Sequence, residues 1–167
     1  MKIISDRHFD FDGDAARSLI NMILARPLFA HLATSSKSGC CESPVWYLWE
    51  ESTLWIIGNY QTDSFPKRIE RDSYCAIGSV DFDFGIGFVE HVGFRVCAFL
   101  QSYDEERMKR LLSRYLGNLE RWGSRFIEIS GDANYIFIRL EAETAVVCDQ
   151  SYKVNGTDKN VRIKCQN

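Results

Sequence analysis

Residues 28–59 read LFAHLATSSKSGCCESPVWYLWEESTLWIIGN, and this stretch decides the fold. Leu28–Ser35, Glu42–Glu50 and Thr53–Asn59 are short runs rich in β-branched and aromatic residues, separated by turn-forming ones. That is the pattern of consecutive antiparallel strands. Ser36-Lys37-Ser38-Gly39 links the first two runs, and Glu50-Glu51-Ser52 makes a tight turn between the second and third. Pro44 falls inside the second run. Proline cannot donate to a ladder, so this strand must lie at an edge or a bulge, where backbone groups stay available. Alternation sets Trp46 on the face opposite Tyr47 and Trp49. One aromatic set must therefore find a surface outside the small core, and a two-fold copy of the chain is the expected one.

Upstream, Asp14–Ala25 reads as a helix with Leu19, Ile20, Ile23 and Leu24 at helical spacing, capped by Asp12 or Asp14 and stopped by Pro27. Downstream, Ser64–Arg71 is a short basic helix with Pro66 in its first turn. Cys75–Phe82 and Val89–Tyr103 are two further strands joined by the loop Asp83-Phe84-Gly85-Ile86-Gly87. Asp104–Leu116 is an amphipathic helix with Met108, Leu111, Leu112 and Tyr115 on its apolar stripe and Gly117 as its stop. Leu119–Ile129 reads as loop and short helix, and Tyr135–Val147 as a long last strand. Asn155-Gly156 signals a turn in the tail. Six antiparallel strands with late-entering helices predict a mainly β protein, a six-stranded split β-barrel with peripheral helices, because closure removes exposed edges. A chain of 167 residues without linkers or repeats is expected to be a single domain, with 1–12 and 151–167 peripheral.

Composition excludes several function classes. A net charge of −3 gives no electrostatic footprint for nucleic acid and little attraction to an anionic membrane. No apolar run approaches the ~18 residues of a membrane helix. Asp6, Asp10, Asp12 and Asp14 stand where a secretory segment would need apolar residues, so the expected location is cytoplasmic. Cys40, Cys41, Cys75, Cys97, Cys148 and Cys165 include no CxxC spacing, and reduced thiols are expected rather than disulfides or a metal site. The sequence has no GxGxxG after a strand, no P-loop, no GxSxG and no HExxH. Gly85-Ile86-Gly87 lacks the third glycine of a nucleotide loop. Of the three histidines, His8 is near the N-terminus, His31 reads as a satisfied core residue, and His91 is the one site candidate.

One stretch does point to a ligand. Trp55-Ile56-Ile57-Gly58-Asn59 is followed by Thr62, Ser64, Lys67 and Arg68. Hydroxyls, a helix start at Ser64–Pro66 and two cations just inside it make a turn suited to a phosphate. The available backbone of the Pro44 strand lies close by in sequence.

The ordered set Arg26–Thr34, Ser43–Trp49, Leu54–Ile57, Ser64–Ile69 with Arg71-Asp72, and Gly93–Ala98 resembles the pyridoxamine 5'-phosphate oxidase-like family of FMN-binding split barrels, over about Ala25 to Asp149. The resemblance implies a homodimer with FMN in a cleft between subunits and a small-molecule substrate. Carried over by position, Ser43, Pro44, Val45 and Trp46 would line the isoalloxazine ring, and Ile57, Gly58 and Asn59 would flank the ribityl chain. Ser64, Phe65, Lys67 and Arg68 would stand around the phosphate. His91, Arg95 and Trp122 would come from the partner subunit. The chain departs from the vitamin oxidases themselves: Glu42 stands where an arginine often does, and Asn160–Asn167 lacks their substrate-binding Arg-Leu-His/Arg type of segment. The implied activity is that of an FMN-dependent oxidoreductase of unspecified substrate. The alternatives are an F420-binding reductase of the same fold and a flavin or haem carrier or sensor without turnover; no side chain is assigned as acid or base.

Overall fold

The computed structural model describes residues 1–5, 13–129 and 132–154. His8, Asp12, Cys165, the Asn155-Gly156 turn and the segment from Asn160 lie outside them. The strands are β1 (Lys2–Ser5), β2 (Ala30–Ser36), β3 (Gly39–Val45), β4 (Tyr47–Glu50), β5 (Thr53–Asn59), β6 (Tyr74–Asp83), β7 (Phe88–Gln101) and β8 (Tyr135–Asp149). The helices are α1 (Gly13–Ala25), α2 (Phe65–Arg71), α3 (Glu105–Leu116) and α4 (Ser124–Ile127), with a 3-10 turn at Leu119–Arg121.

The strands are ordered β3-β2-β6-β7-β8-β5-β4, with β1 pairing parallel to β8 and every other pair antiparallel. β3 and β4 stand at opposite ends of this order yet are joined by the single residue Trp46. The sheet must therefore curl until its ends meet. Among the described residues no ladder joins those ends, so the barrel is split there. This is the mainly antiparallel split barrel that the sequence predicts, with eight strands among the described residues rather than six. The two additional strands are β1 and the one created when the run Glu42–Glu50 breaks at Trp46. Pro44 sits on β3, an edge strand, opposite His31 of β2.

The barrel interior collects Leu32, Ile77, Val92, Phe94, Ile56 and Leu140, and α1 adds Leu19, Ile20, Ile23 and Leu24. Burying each of these apolar side chains contributes about 1.5–3 kcal/mol. Outside the barrel wall, a second core joins Met108, Leu111 and Leu112 of α3 to Leu48, Trp122 and Phe137. Asp104 caps α3, accepting from the Arg107 N–H at 2.9 Å, and Gly117 ends it at φ 76°.

This second core corrects one sequence-based expectation. Trp46 does lie on the face opposite Tyr47 and Trp49, but α3 and α4 of the same chain cover it. Trp46 stacks on Tyr115 with ring centroids 4.7 Å apart and on Phe126 at 5.7 Å. A second correction concerns His31. Because Ala30, Leu32 and Thr34 face inward, His31 faces outward, is exposed, and hydrogen-bonds through Nδ1 to Glu42 Oε1 at 2.6 Å. Cys40, Cys41, Cys75, Cys97 and Cys148 are free thiols. Burial raises the Cys75 thiol to about 11, which keeps it protonated.

Candidate functional site

The residues around the β5–α2 turn form the most convincing site. The turn begins at Asn59, whose buried Oδ1 accepts from the N–H groups of Gln61 (2.8 Å) and Thr62 (3.3 Å). Asp63 returns a carboxylate to the Asn59 N–H at 2.8 Å. Short polar side chains that bond their own backbone favour such turns over continued strand. α2 follows and presses on β5 where β5 has no side chain: a Cβ on Gly58 would lie 2.8 Å from Pro66 Cγ and 2.9 Å from Phe65 Cε2. Phe65, Pro66 and Ile69 are buried, which turns Lys67 and Arg68 toward the other side of the short helix.

Arg68 gathers three hydroxyls from three elements. Its Nε donates to Thr34 Oγ1 of β2 at 2.7 Å, Nη1 to Ser64 Oγ at 2.5 Å, and Nη2 to Ser43 Oγ of β3 at 3.4 Å. Among the described residues no carboxylate pairs with this guanidinium. A half-buried cation surrounded by hydroxyls alone retains its charge for an incoming anion, and the hydroxyls add donors of their own. Lys67 stands exposed beside it.

A cavity of about 310 Å³ lies on the outer face of β2 and β6, across β2 from the Thr34 hydroxyl. Ala33, Ala76, Tyr74, Arg95 and Glu143 are among its lining residues. Of the sequence candidates, the structure thus brings Ser43, Ser64 and Arg68 together, with Lys67 adjacent and Arg95 on the neighbouring cavity. Pro44 is exposed on the free edge, while Val45 points into the barrel core.

Other candidates serve the framework. Phe65 belongs to the barrel core, Ile57 packs on the second core, and Gly58 and Asn59 shape the turn. Trp46 is committed to its stack on Tyr115. Trp122 is buried in the second core, and its indole N–H donates to the Gly117 carbonyl at 3.0 Å. His91 lies on the outer face of β7 over two facing glycines: its Nε2 is 3.4 Å from where a Cβ on Gly93 would be and 3.7 Å from that of Gly78. Burial there holds its pKa below the ordinary 6.5.

Sequence reasoning missed Thr34. The signal was present: in the alternation Ala30, Leu32, Thr34, a hydroxyl occupies an inward-facing position, where a polar group must find a partner. Among the described residues, no three His, Cys, Asp or Glu side chains group as metal ligands.

No protein-family model matches the chain, and neither does any curated protein by sequence. Solved structures do resemble it in fold. A conserved hypothetical protein from Mycobacterium tuberculosis superposes with a TM-score of 0.65 at 14% identity, over 92% of this chain and 98% of that one. A putative pyridoxamine 5'-phosphate oxidase from Listeria innocua gives 0.59 at 12% identity, over 78% and 95%. An F420 reductase gives 0.57 at 20% identity, over 75% and 94%. The chain therefore has the split-barrel fold of pyridoxamine 5'-phosphate oxidase-like proteins.

Proposed function

We propose that the protein binds FMN and acts as a flavin-dependent oxidoreductase on a small molecule. The observation that carries this reading is the Arg68 cradle, a guanidinium without a carboxylate partner among the described residues, held by hydroxyls of Thr34, Ser43 and Ser64. This donor set fits a phosphate monoester: Arg68 supplies the fixed charge, and Ser43 and Ser64 supply hydroxyl hydrogens. When bound, FMN supplies the hydride-transfer chemistry, and the chain's own residues bind and orient it.

We also propose a cytoplasmic homodimer that closes the site from a second subunit. The outer face of β6 and its hairpin exposes Tyr74 (65%), Val80 (48%), Phe82 (55%) and Phe84 (67%). Small residues flank them, with Gly78 facing Gly93 across the β6–β7 ladder and Ala76 beside them. Such an apolar face is the usual ground of a two-fold contact. Among the described residues no helix is long and apolar enough to cross a membrane.

A second reading, F420 in the same fold, is favoured by the F420 reductase among the structural neighbours. It fits the site less well, since a longer acidic tail calls for cations beyond Lys67 and Arg68. The deciding experiment is titration of apoprotein with FMN, riboflavin and F420, followed by absorbance. FMN is expected to bind more tightly than riboflavin. Arg68→Ala should weaken FMN roughly tenfold to a hundredfold, the value of a charge-assisted bond to phosphate, and Lys67→Ala should weaken it less. Equal affinity for FMN and riboflavin would overturn the cradle as a phosphate site. Reduction of the bound flavin by NAD(P)H and its reoxidation by a substrate would separate an enzyme from a carrier.

A further inference from the structure

We propose that Thr34 is a positioning residue that aims the Arg68 guanidinium, and so sets the preference for a phosphorylated ligand; this rests on the FMN reading above. Thr34 is 3% exposed. Its Oγ1 accepts from Arg68 Nε at 2.7 Å and donates to the Cys41 carbonyl of β3 at 3.4 Å. The hydroxyl's one hydrogen and one of its lone pairs are used inside the protein, and burial keeps it from any ligand. Ser43 and Ser64 differ. Each accepts from an Nη nitrogen, and among the described residues neither hydroxyl hydrogen has an acceptor. The three hydroxyls therefore divide the work. The two serines and the Nη groups are left to meet an anion, while Thr34 fixes the plane in which they do so.

The geometry explains why one bond at Nε has this effect. A guanidinium is a rigid planar fork, so fixing Nε together with one Nη leaves it no rotation. The β-branched side chain of threonine is stiff about χ1, which makes Thr34 a fixed peg rather than a swinging hydroxyl. Its strand is held on both sides, by β3 and by β6. The peg is thus anchored to the barrel, whereas Arg68 rides on a helix of only seven residues. Without it, the guanidinium would keep its charge but lose its direction, and pre-organisation toward phosphate would fall.

Thr34→Val keeps the shape and removes the hydroxyl, and Thr34→Ser keeps the hydroxyl. Dissociation constants for FMN and riboflavin are measured for wild type, both variants, Arg68→Ala and the Thr34→Val/Arg68→Ala double variant. The expected result is a loss of roughly tenfold in the FMN-over-riboflavin preference for Thr34→Val, with riboflavin affinity unchanged. Thr34→Ser should restore the preference, and Thr34→Val should add nothing in the Arg68→Ala background, because both act through one guanidinium. Should Thr34→Val fail to fold, Thr34→Ala carries the same comparison. Equal losses for FMN and riboflavin, or an unchanged preference while Arg68→Ala lowers it, would overturn the role of Thr34 and leave the FMN reading standing. A wild type without preference for FMN would overturn both.

Discussion

The indole of Trp46 lies flat on the ring of Tyr115, with centroids 4.7 Å apart and planes 5° from parallel. Trp46 is the single residue between β3 and β4, so this stack sits at the split of the barrel. The Tyr115 hydroxyl completes the clamp: it accepts from the Tyr47 N–H at 3.1 Å and donates to the Leu28 carbonyl at 2.8 Å. α3 thereby holds open-ended backbone that has no ladder partner at this point. Tyr115→Phe keeps the stack but strands a buried N–H, and should cost about 1–3 kcal/mol in denaturant unfolding. Tyr115→Leu should cost more because the stack goes too. A Phe variant as stable as wild type would show that the ring alone does the clamping.

Gly58 and α2 form the second dependence. Added methyl bulk at Gly58 meets Pro66 and Phe65, two rings with little freedom to yield. Gly58→Ala should therefore displace α2, and overpacking of this kind costs about 1–3 kcal/mol. Arg68 travels with α2, so the same variant should weaken FMN more than riboflavin. Thermal unfolding and the two titrations check this, and a variant that loses stability while keeping its FMN preference would separate helix position from the cradle.

How far the sequence carried the fold depends on what alternation can say. It marks which residues share a face, and so the strands of the barrel, the edge position of Pro44 and the caps Asp104 and Gly117 were all legible. Alternation does not say which face is inside. The apolar run suggests a core position for His31, although its neighbours Ala30, Leu32 and Thr34 are the ones that face in. Nor does it show pairing across the chain: β1 has four residues and finds its place beside β8, more than a hundred positions away, which no local pattern encodes. At the site, the cations and serines of the β5–α2 turn were visible as a charged, hydroxyl-rich cluster. Thr34 and Ser43 join Arg68 through the register of β2 and β3, a tertiary fact. Aromatic residues are ambiguous for a related reason. A Trp is equally at home against a flavin or a core, and Trp46 and Trp122 pack against α3 and its flanking turns.

Trp122 carries a prediction of its own. With 9% exposure and its N–H satisfied by Gly117, it fastens the 3-10 turn to α3. Trp122→Ala should cost about 3–5 kcal/mol, the usual range for emptying a buried aromatic site. The drop in melting temperature should be the same with and without FMN. A loss confined to the FMN-bound protein would return Trp122 to the binding site.

His91 gives the fold a directional response to acid. Its imidazole rests over Gly78 and Gly93, between Val80 of β6 and Cys148 of β8 in register, and burial lowers its pKa from the ordinary 6.5. The folded protein thus binds this proton less readily than the unfolded chain does. Above about pH 6.5 both states hold neutral histidine, and His91 leaves stability independent of pH. As pH falls through 6.5 the unfolded state takes up the proton first, and stability declines until the pH passes below the depressed folded value. His91→Gln should flatten that part of the stability profile while leaving the carboxylate-dependent part at lower pH in place. NMR titration of the imidazole should give a midpoint under 6.5. The face that carries His91 is the one proposed to meet a second subunit, so dimerisation should deepen its burial. The midpoint should then move lower still as protein concentration rises, and a midpoint at or above 6.5 would remove His91 from any buried surface.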